Sequence, residues 1–310
     1  MTRPRAARRE SLADSAHAAE PLADWVLLNM AGVGAVGFKN LLEAFGSAAD
    51  AAHAPVDDLC AVPFISAPVA QRIHDYAHDP GAVEQMLQVL ADDGIQALRL
   101  CDPMYPRRLA ALHDAPPVLY VRGALPPEGR PAVALVGTRQ PDECGREWSA
   151  RAAEWFAQQG CAVISGLARG IDTAAHEGTV AGGGVTIACL GGSIDRLYPP
   201  ENYELADAIL VQGALVSEQP PGTQALTALL MARNRTIAGL SDAVIVVQTR
   251  SRGGAIETAR RAVKLRRAAY AVRWETAAEF DHPARDLMTE GAKALDPTED
   301  LQAVLDAITP

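Results

Sequence analysis

Ala132-Val-Ala-Leu-Val-Gly137 runs straight into Thr138 and Arg139, and the same arrangement recurs twice further along. Ala162-Val-Ile-Ser-Gly166 leads into Leu167-Ala-Arg-Gly-Ile-Asp172, and Val185-Thr-Ile-Ala-Cys-Leu190 leads into Gly191-Gly-Ser-Ile194. Each unit is a short apolar run, a turn of small residues and the start of a helix. Apolar runs without polar alternation, joined by helices, mark strands buried on both faces of a parallel, doubly wound α/β sheet. Six strands are predicted: Val133–Val136, Ala162–Ser165, Val185–Leu190, Ala214–Ser217, Ala243–Val247 and Ala268–Val272. Ligands of such sheets bind outside the carboxyl ends of the strands. That selects Gly137–Arg139, Ser165–Asp172, Gly191–Asp195 and Ser217–Gly222 as one continuous rim. Helix N-termini preceded by small residues offer amides and partial positive charge, which suits phosphate.

The 310 residues carry a formal net charge of −10, which at first argues against nucleic acid. The distribution points the other way. Residues 131–272 hold 14 Lys/Arg against 13 Asp/Glu, so the acidic excess lies elsewhere. Arg250–Arg267 contains seven basic residues and one acid, Glu257. A polyanion responds to this local field rather than to the total. Cys60, Cys101, Cys144, Cys161 and Cys189 are scattered, odd in number and without CxxC spacing. They read as reduced thiols of a cytosolic protein. No apolar run approaches the roughly 18 residues of a membrane span. Residues 1–20 lack the apolar segment of a secretory signal and are read as a mobile arm.

Residues 21–78 are predicted to be a small helical domain, 79–130 a connector, 131–275 the α/β block and 276–310 a short acidic tail. Trp25-Val-Leu-Leu-Asn-Met-Ala-Gly32-Val-Gly34 followed by Phe38–Phe45 suggests a helix-hairpin-helix, whose glycines permit a positive φ and close approach to a phosphate. A weaker copy spans Leu59–Ile73, with Pro63 and Phe64 where glycines are expected, so it presents no equivalent amides. The competing reading is a helical packing module that touches no nucleic acid. In the connector, Val118-Leu-Tyr-Val121 is a strand candidate expected near the sheet.

Three chemistries can be tested against the rim. A dinucleotide fingerprint needs Gly-x-Gly-x-x-Gly after the first strand, where this chain has Val-Gly-Thr-Arg-Gln-Pro-Asp. A P-loop needs Gly-Lys-Ser/Thr, which is absent. Metal motifs such as HxH, HExxH and CxxC are also absent, so no cofactor is expected. His176 has no evident nucleophile, and Asp172, four residues before it on one helix face, is expected to pair with it structurally, with a catalytic dyad as the alternative. The rim arginines remain: Arg139, Arg169, Arg196, Arg233, Arg235 and Arg252. Guanidinium suits bidentate phosphate contacts and stacking on bases. The bland alternative is that half of them pair with Glu201, Glu204, Glu218 or Asp242.

Read together, these segments resemble the DNA-processing protein A (DprA/Smf) family. Val136-Gly-Thr-Arg139 is similar to the family's Val-Gly-Ser-Arg, and Ser165-Gly-Leu-Ala-Arg-Gly-Ile-Asp-Thr-Ala-Ala-His176 to its most specific signature. Leu190–Asn202, Leu215–Gly222, Arg233-Asn-Arg-Thr-Ile-Ala-Gly-Leu-Ser241 and Asp286–Leu295 follow in the family's order. The resemblance covers roughly residues 22–305. It implies a Rossmann-like domain, preceded by a small helical (helix-hairpin-helix/SAM-like) domain, that binds single-stranded DNA, forms a homodimer and hands the strand to the RecA recombinase in transformation or recombination. It implies DNA contacts at Gly137, Thr138, Arg139, Ser165, Gly166, Arg169, Gly170, Arg233, Asn234 and Arg235, with additional phosphate contacts at Gly191, Gly192, Arg252 and Gly253. No catalytic step belongs to that role. The chain departs from the family in three places. Leu226-Thr-Ala-Leu-Leu-Met231 replaces the Asn-Phe-Pro lead into Arg233, no Pro-Gly follows Val272, and no winged helix is expected after the tail.

Two other readings compete. Arg252-Gly-Gly-Ala-Ile-Glu257 is faintly similar to the turn of nucleotide-monophosphate phosphoribohydrolases, with Glu257 at the glycosidic carbon, or of a nucleotide-ligand sensor on the same fold. The third reading is a pure interaction scaffold.

Overall fold

The structure is a computed structural model that describes residues 17, 19–250, 253–274, 277–298 and 301–309, with Pro80 and Ala278 described by backbone alone. The bulk of the expected N-terminal arm, and Arg252 of the expected site, lie outside the described residues. The chain divides into two compact units. One comprises the described residues up to Leu87 with Ala97–Tyr105 and Asp114–Val118; the other comprises Gln88–Gln96, Pro106–His113 and the chain from Leu119 onward.

The first unit is built on α1 (Leu22–Met30), α2 (Ala35–Phe45), α3 (Ala48–Ala52), α4 (Val56–Ala61) and α5 (Ala67–Ala77). Trp25 and Phe38 pack with ring centroids 4.8 Å apart, over fully buried Leu28, Leu41, Leu59 and Ile73. The α1–α2 turn uses Gly32 at φ +83°, and Arg72 Nε donates to the Ala31 carbonyl beside it at 2.9 Å. The α4–α5 turn places Phe64, 79% exposed, in the same left-handed region at φ +68°. A side chain rarely tolerates that region. The second hairpin therefore keeps the shape of the first without its bare backbone.

Next come α6 (Pro80–Asp92), β1 (Ile95–Arg99), α7 (Arg107–Ala110) and β2 (Val118–Gly123). The region read as a connector thus carries two helices and two strands. Beyond it, strands and helices alternate: β3 (Ala132–Val136), α8 (Glu143–Gln158), β4 (Ala162–Ser165), α9 (Ile171–Ala181), β5 (Val185–Leu190), α10 (Tyr203–Leu210) and β6 (Ala214–Ser217). The rest is α11 (Thr227–Ala232), α12 (Asn234–Leu240), β7 (Ala243–Val246), α13 (Gly254–Lys264), β8 (Ala268–Val272), α14 (Ala278–Thr289), β9 (Lys293–Leu295) and α15 (Gln302–Ile308). The sheet order is β1-β2-β6-β5-β4-β3-β7-β8-β9. Every pairing from β6 through β9 is parallel, whereas β2 joins β6 antiparallel, with Tyr120 opposite Ser217.

The fold is Rossmann-like, and the six predicted strands appear with ends shifted by at most one residue. Trp148, Ala152 and Phe156 of α8 and Ile171 and Ala175 of α9 share one core with Val133, Leu135, Val163 and Ile245 of the sheet, while α12 packs against β3, β4 and β5 and α13 against β7 and β8. The C-terminal segment differs from a simple tail. Leu295 of β9 and Val304 and Ile308 of α15 join the central core. Three strand residues with one buried are too short to leave a pattern in the sequence.

Candidate nucleic-acid interface

From β3 the chain winds through β4, β5 and β6 on one side, then returns to β7, β8 and β9 on the other. The loops after β3 and β7 therefore part in opposite directions and leave a crevice, the usual ligand position in open α/β sheets. It measures about 440 Å³ and is lined by Gly137, Thr138 and Arg139 after β3 and by Thr249, Arg250, Gly253 and Gly254 after β7. Asp172, Arg233 and Asn234 form further walls, and Leu230 and Met231 of α11 stand at one side. Gln248, which the sequence reading missed, holds the two loops together. Its carbonyl accepts from Thr138 N at 2.7 Å, and its side-chain amide donates to Asp142 Oδ1 at 2.8 Å. Asp142 is in turn the N-cap of α8, accepting from Gly145 N at 2.8 Å.

The turn after β4 forms the neighbouring corner. Ser165 is fully buried and its hydroxyl donates to the Leu135 carbonyl at 2.6 Å, so it braces two strands and does not face solvent. Gly166 N donates to Asp172 Oδ2 at 3.2 Å. The Arg233 guanidinium lies against Gly166, where any Cβ would collide with it. Gly170 turns the chain into α9 at φ +83°. Leu167 is in the left-handed region at φ +56°, and Asn202 Nδ2 holds its carbonyl at 2.9 Å while also reaching Thr173 Oγ1.

Arg233 is only 6% exposed. Nη1 donates to the Cys189 carbonyl at 2.8 Å, while the buried Nε has no partner among the described residues. Burial pushes the Asp172 carboxyl up and the Arg233 guanidinium down, and each charge opposes the shift of the other. The result is a positive group sealed in the floor of the crevice beside Asp172, with Glu218 also acting on it. Arg139 stands exposed at the mouth, with no hydrogen bond or ion pair to any described residue.

Other expectations for the rim need correction. Arg169 forms an ion pair with Glu201, its Nη2 donating to Oε2 at 3.0 Å. The bond raises the pKa of Arg169 and lowers that of Glu201. Arg235 is tied to Glu218, which also accepts from Thr236 Oγ1. Arg196 lies 3.9 Å from Asp195, and Asp242 pairs with Arg108 at 2.9 Å. The bland alternative thus accounts for Arg235, whose pair is shielded, whereas the Arg169 pair is half exposed. Gly191 and Gly192 are buried: Leu230 packs directly on Gly191 and Ala225 on Gly192, so their small size admits the α11 segment. They present no open amide surface. Asp172 and His176 do not pair. The His176 Nδ1–H donates to Thr186 Oγ1 at 2.7 Å, because the Thr186 proton is already given to the Val163 carbonyl at 2.8 Å. Asn234 does line the crevice, and its Nδ2 donates to the Gly254 carbonyl at 3.1 Å.

Comparison with known proteins places this architecture. The family description DNA recombination-mediator protein A matches residues 96–306, and a SAM-like helix-hairpin-helix tandem matches residues 26–79. The Synechocystis protein Smf is 36% identical over 228 residues, covering 72% of this chain but 57% of its own length. The structure of DNA processing protein A from Streptococcus pneumoniae superposes with a TM-score of 0.76 at 29% identity, covering 90% of this chain and 97% of that one. DNA processing protein A from Helicobacter pylori, described for its single-stranded DNA binding mode, gives 0.59 at 26% identity, covering 68% and 94%. With the family description matching residues 96–306 and the fold shared with these proteins, the chain belongs to the DNA recombination-mediator protein A family.

Proposed function

We propose that this chain binds single-stranded DNA in the crevice between β3 and β7 and passes the strand to a RecA-type recombinase without altering it. The observation that carries this reading is the combination in one crevice of an exposed Arg139 without a described partner, the buried Arg233 charge, and the glycine backbone at 137 and 253–254. Together these attract phosphate along a line rather than at one point. The single-stranded DNA binding of the Helicobacter pylori relative supports the reading. A homodimer working in the cytoplasm belongs to the same proposal. Among the described residues no helix is long and apolar enough to cross a membrane.

The phosphoribohydrolase reading receives less support. Glu257 is half exposed, its carboxylate accepts from Arg260 Nη1 at 2.8 Å, and it is absent from the crevice lining. Titration with single- and double-stranded oligonucleotides tests the binder, and assay for free base after incubation with nucleoside monophosphates tests the enzyme. Recombinase filament growth on a single strand, with and without this protein, tests the hand-over. Binding to single strands, no base release and faster filament growth are expected. Equal affinity for both DNA forms, or base release, would overturn the proposal.

A further inference from the structure

Beside the crevice lies a narrower cleft that joins rim residues to Tyr198, Pro199 and Leu230, which the rim expectation did not include. It is bounded by Arg139, Gly166, Arg169, Tyr198, Pro199 and Leu230. Tyr198 is 42% exposed, an unusual outlay for a ring next to buried Pro199. Its face is covered by the Arg169 guanidinium, with Cζ 5.8 Å from the ring centroid. That distance is near the outer limit of a cation–π contact. The same guanidinium is shared with Glu201. The segment carrying Tyr198 is fixed to the site: Asn202, four residues on, holds the Leu167 carbonyl and the α9 residue Thr173.

The cleft measures about 10 Å³ with Arg169 in place, too little for a base. We infer that it opens into a base subsite when Arg169 withdraws, one unpaired base of the bound strand then stacking on Tyr198. The inference rests on the single-strand reading above. Arg169 is the natural exchange partner. It leaves the ring and Glu201 for a phosphate, which is a doubly hydrogen-bonding anion of the same kind as the carboxylate it gives up. The vacated ring face is flat, apolar and at the edge of the phosphate track, and Leu230 offers an apolar wall beside it. Stacking is indifferent to base identity because every base has a π-face, and it requires that the base be unpaired. The cleft therefore supplies a preference for single strands that phosphate contacts alone lack.

A cycle of protein variants against DNA variants tests this directly. Wild type, Tyr198→Leu and Tyr198→Phe are titrated with an oligothymidylate and with a strand of equal length whose central nucleotides are abasic. Tyr198→Leu should lose about tenfold in affinity for oligothymidylate, in line with one lost stacked base. On the abasic strand it should lose less than about twofold, and Tyr198→Phe should recover the oligothymidylate affinity. An equal loss on both strands would show that Tyr198 only shapes the turn, and no loss on either would remove the subsite. Both outcomes overturn the inference while leaving the single-strand reading in place. That reading fails separately, and takes the subsite with it, if the wild type binds neither strand.

Discussion

Arg233 and Gly166 show how one residue's size is set by another's charge. The guanidinium fills the space a Cβ would need at Gly166. Gly166→Ala should therefore destabilise the fold by about 1–3 kcal/mol through overpacking, and it should also weaken single-strand binding by displacing Arg233. Urea unfolding together with an oligonucleotide titration reads both effects, and a variant of unchanged stability would contradict the packing. His176 makes a prediction about pH. Burial lowers its pKa to about 3, against about 6.5 in an unfolded chain. Between those values the unfolded chain takes up a proton and the fold does not, so stability is full above about pH 6.5 and is lost as the pH falls below it. The wild type should lose about 1.4 kcal/mol more than His176→Asn between about pH 7.5 and about pH 5.5. Asp172, shifted up by burial, acts with the opposite sign and is common to both proteins. Parallel pH dependence in the two would refute a neutral buried imidazole. At this scale the sequence was least legible. Residue type placed Arg139, Arg169 and Arg235 at one sheet edge, but Glu201 and Glu218, distant in the chain, decide which guanidinium stays open.

Elements were easier to read. Strands buried on both faces leave continuous apolar runs, so β3 to β8 were visible almost to the residue. β1 and β9 were not: β1 is half-buried along most of its length, and β9 buries a single residue. The α11 segment was flagged only as a departure from the family, and the structure gives it a role. It buries no residue of its own, leaves Leu226 59% exposed, and lays Leu230 over Gly191. The helix after it buries every residue but Arg235, and charge adds to that anchorage. Glu218, at the end of β6, holds Arg235 and Thr236 of α12 in a site where both partners of the ion pair are largely shielded. Removing one partner of such a pair strands the other. Glu218→Ala should therefore cost about 3–5 kcal/mol, measured by denaturant unfolding, whereas a cost below about 1 kcal/mol would mark the pair as a surface contact.

For the whole molecule, a net charge of −10 coexists with the proposed single-strand site because the acids and bases are distributed unevenly. The strand reversal between β3 and β7 sets the position of the crevice; the sequence pointed to the carboxyl ends of the strands, but the order that singles out this pair is a tertiary property. The depth of the crevice and the clasp formed by Gln248 depend on contacts between residues about a hundred positions apart, which no local pattern encodes. Binding dominated by phosphate contacts should weaken as salt rises, with a slope that measures how many contacts are made. Replacing Arg139 and Arg169 should make that slope shallower. The decisive measurement is the titration of a single-stranded oligonucleotide at two salt concentrations with wild type and with the Arg139→Ala/Arg169→Ala double variant. The account predicts a more than roughly tenfold loss of affinity and a reduced salt dependence in a protein that still folds. Unchanged affinity and an unchanged salt slope in the folded double variant would contradict it.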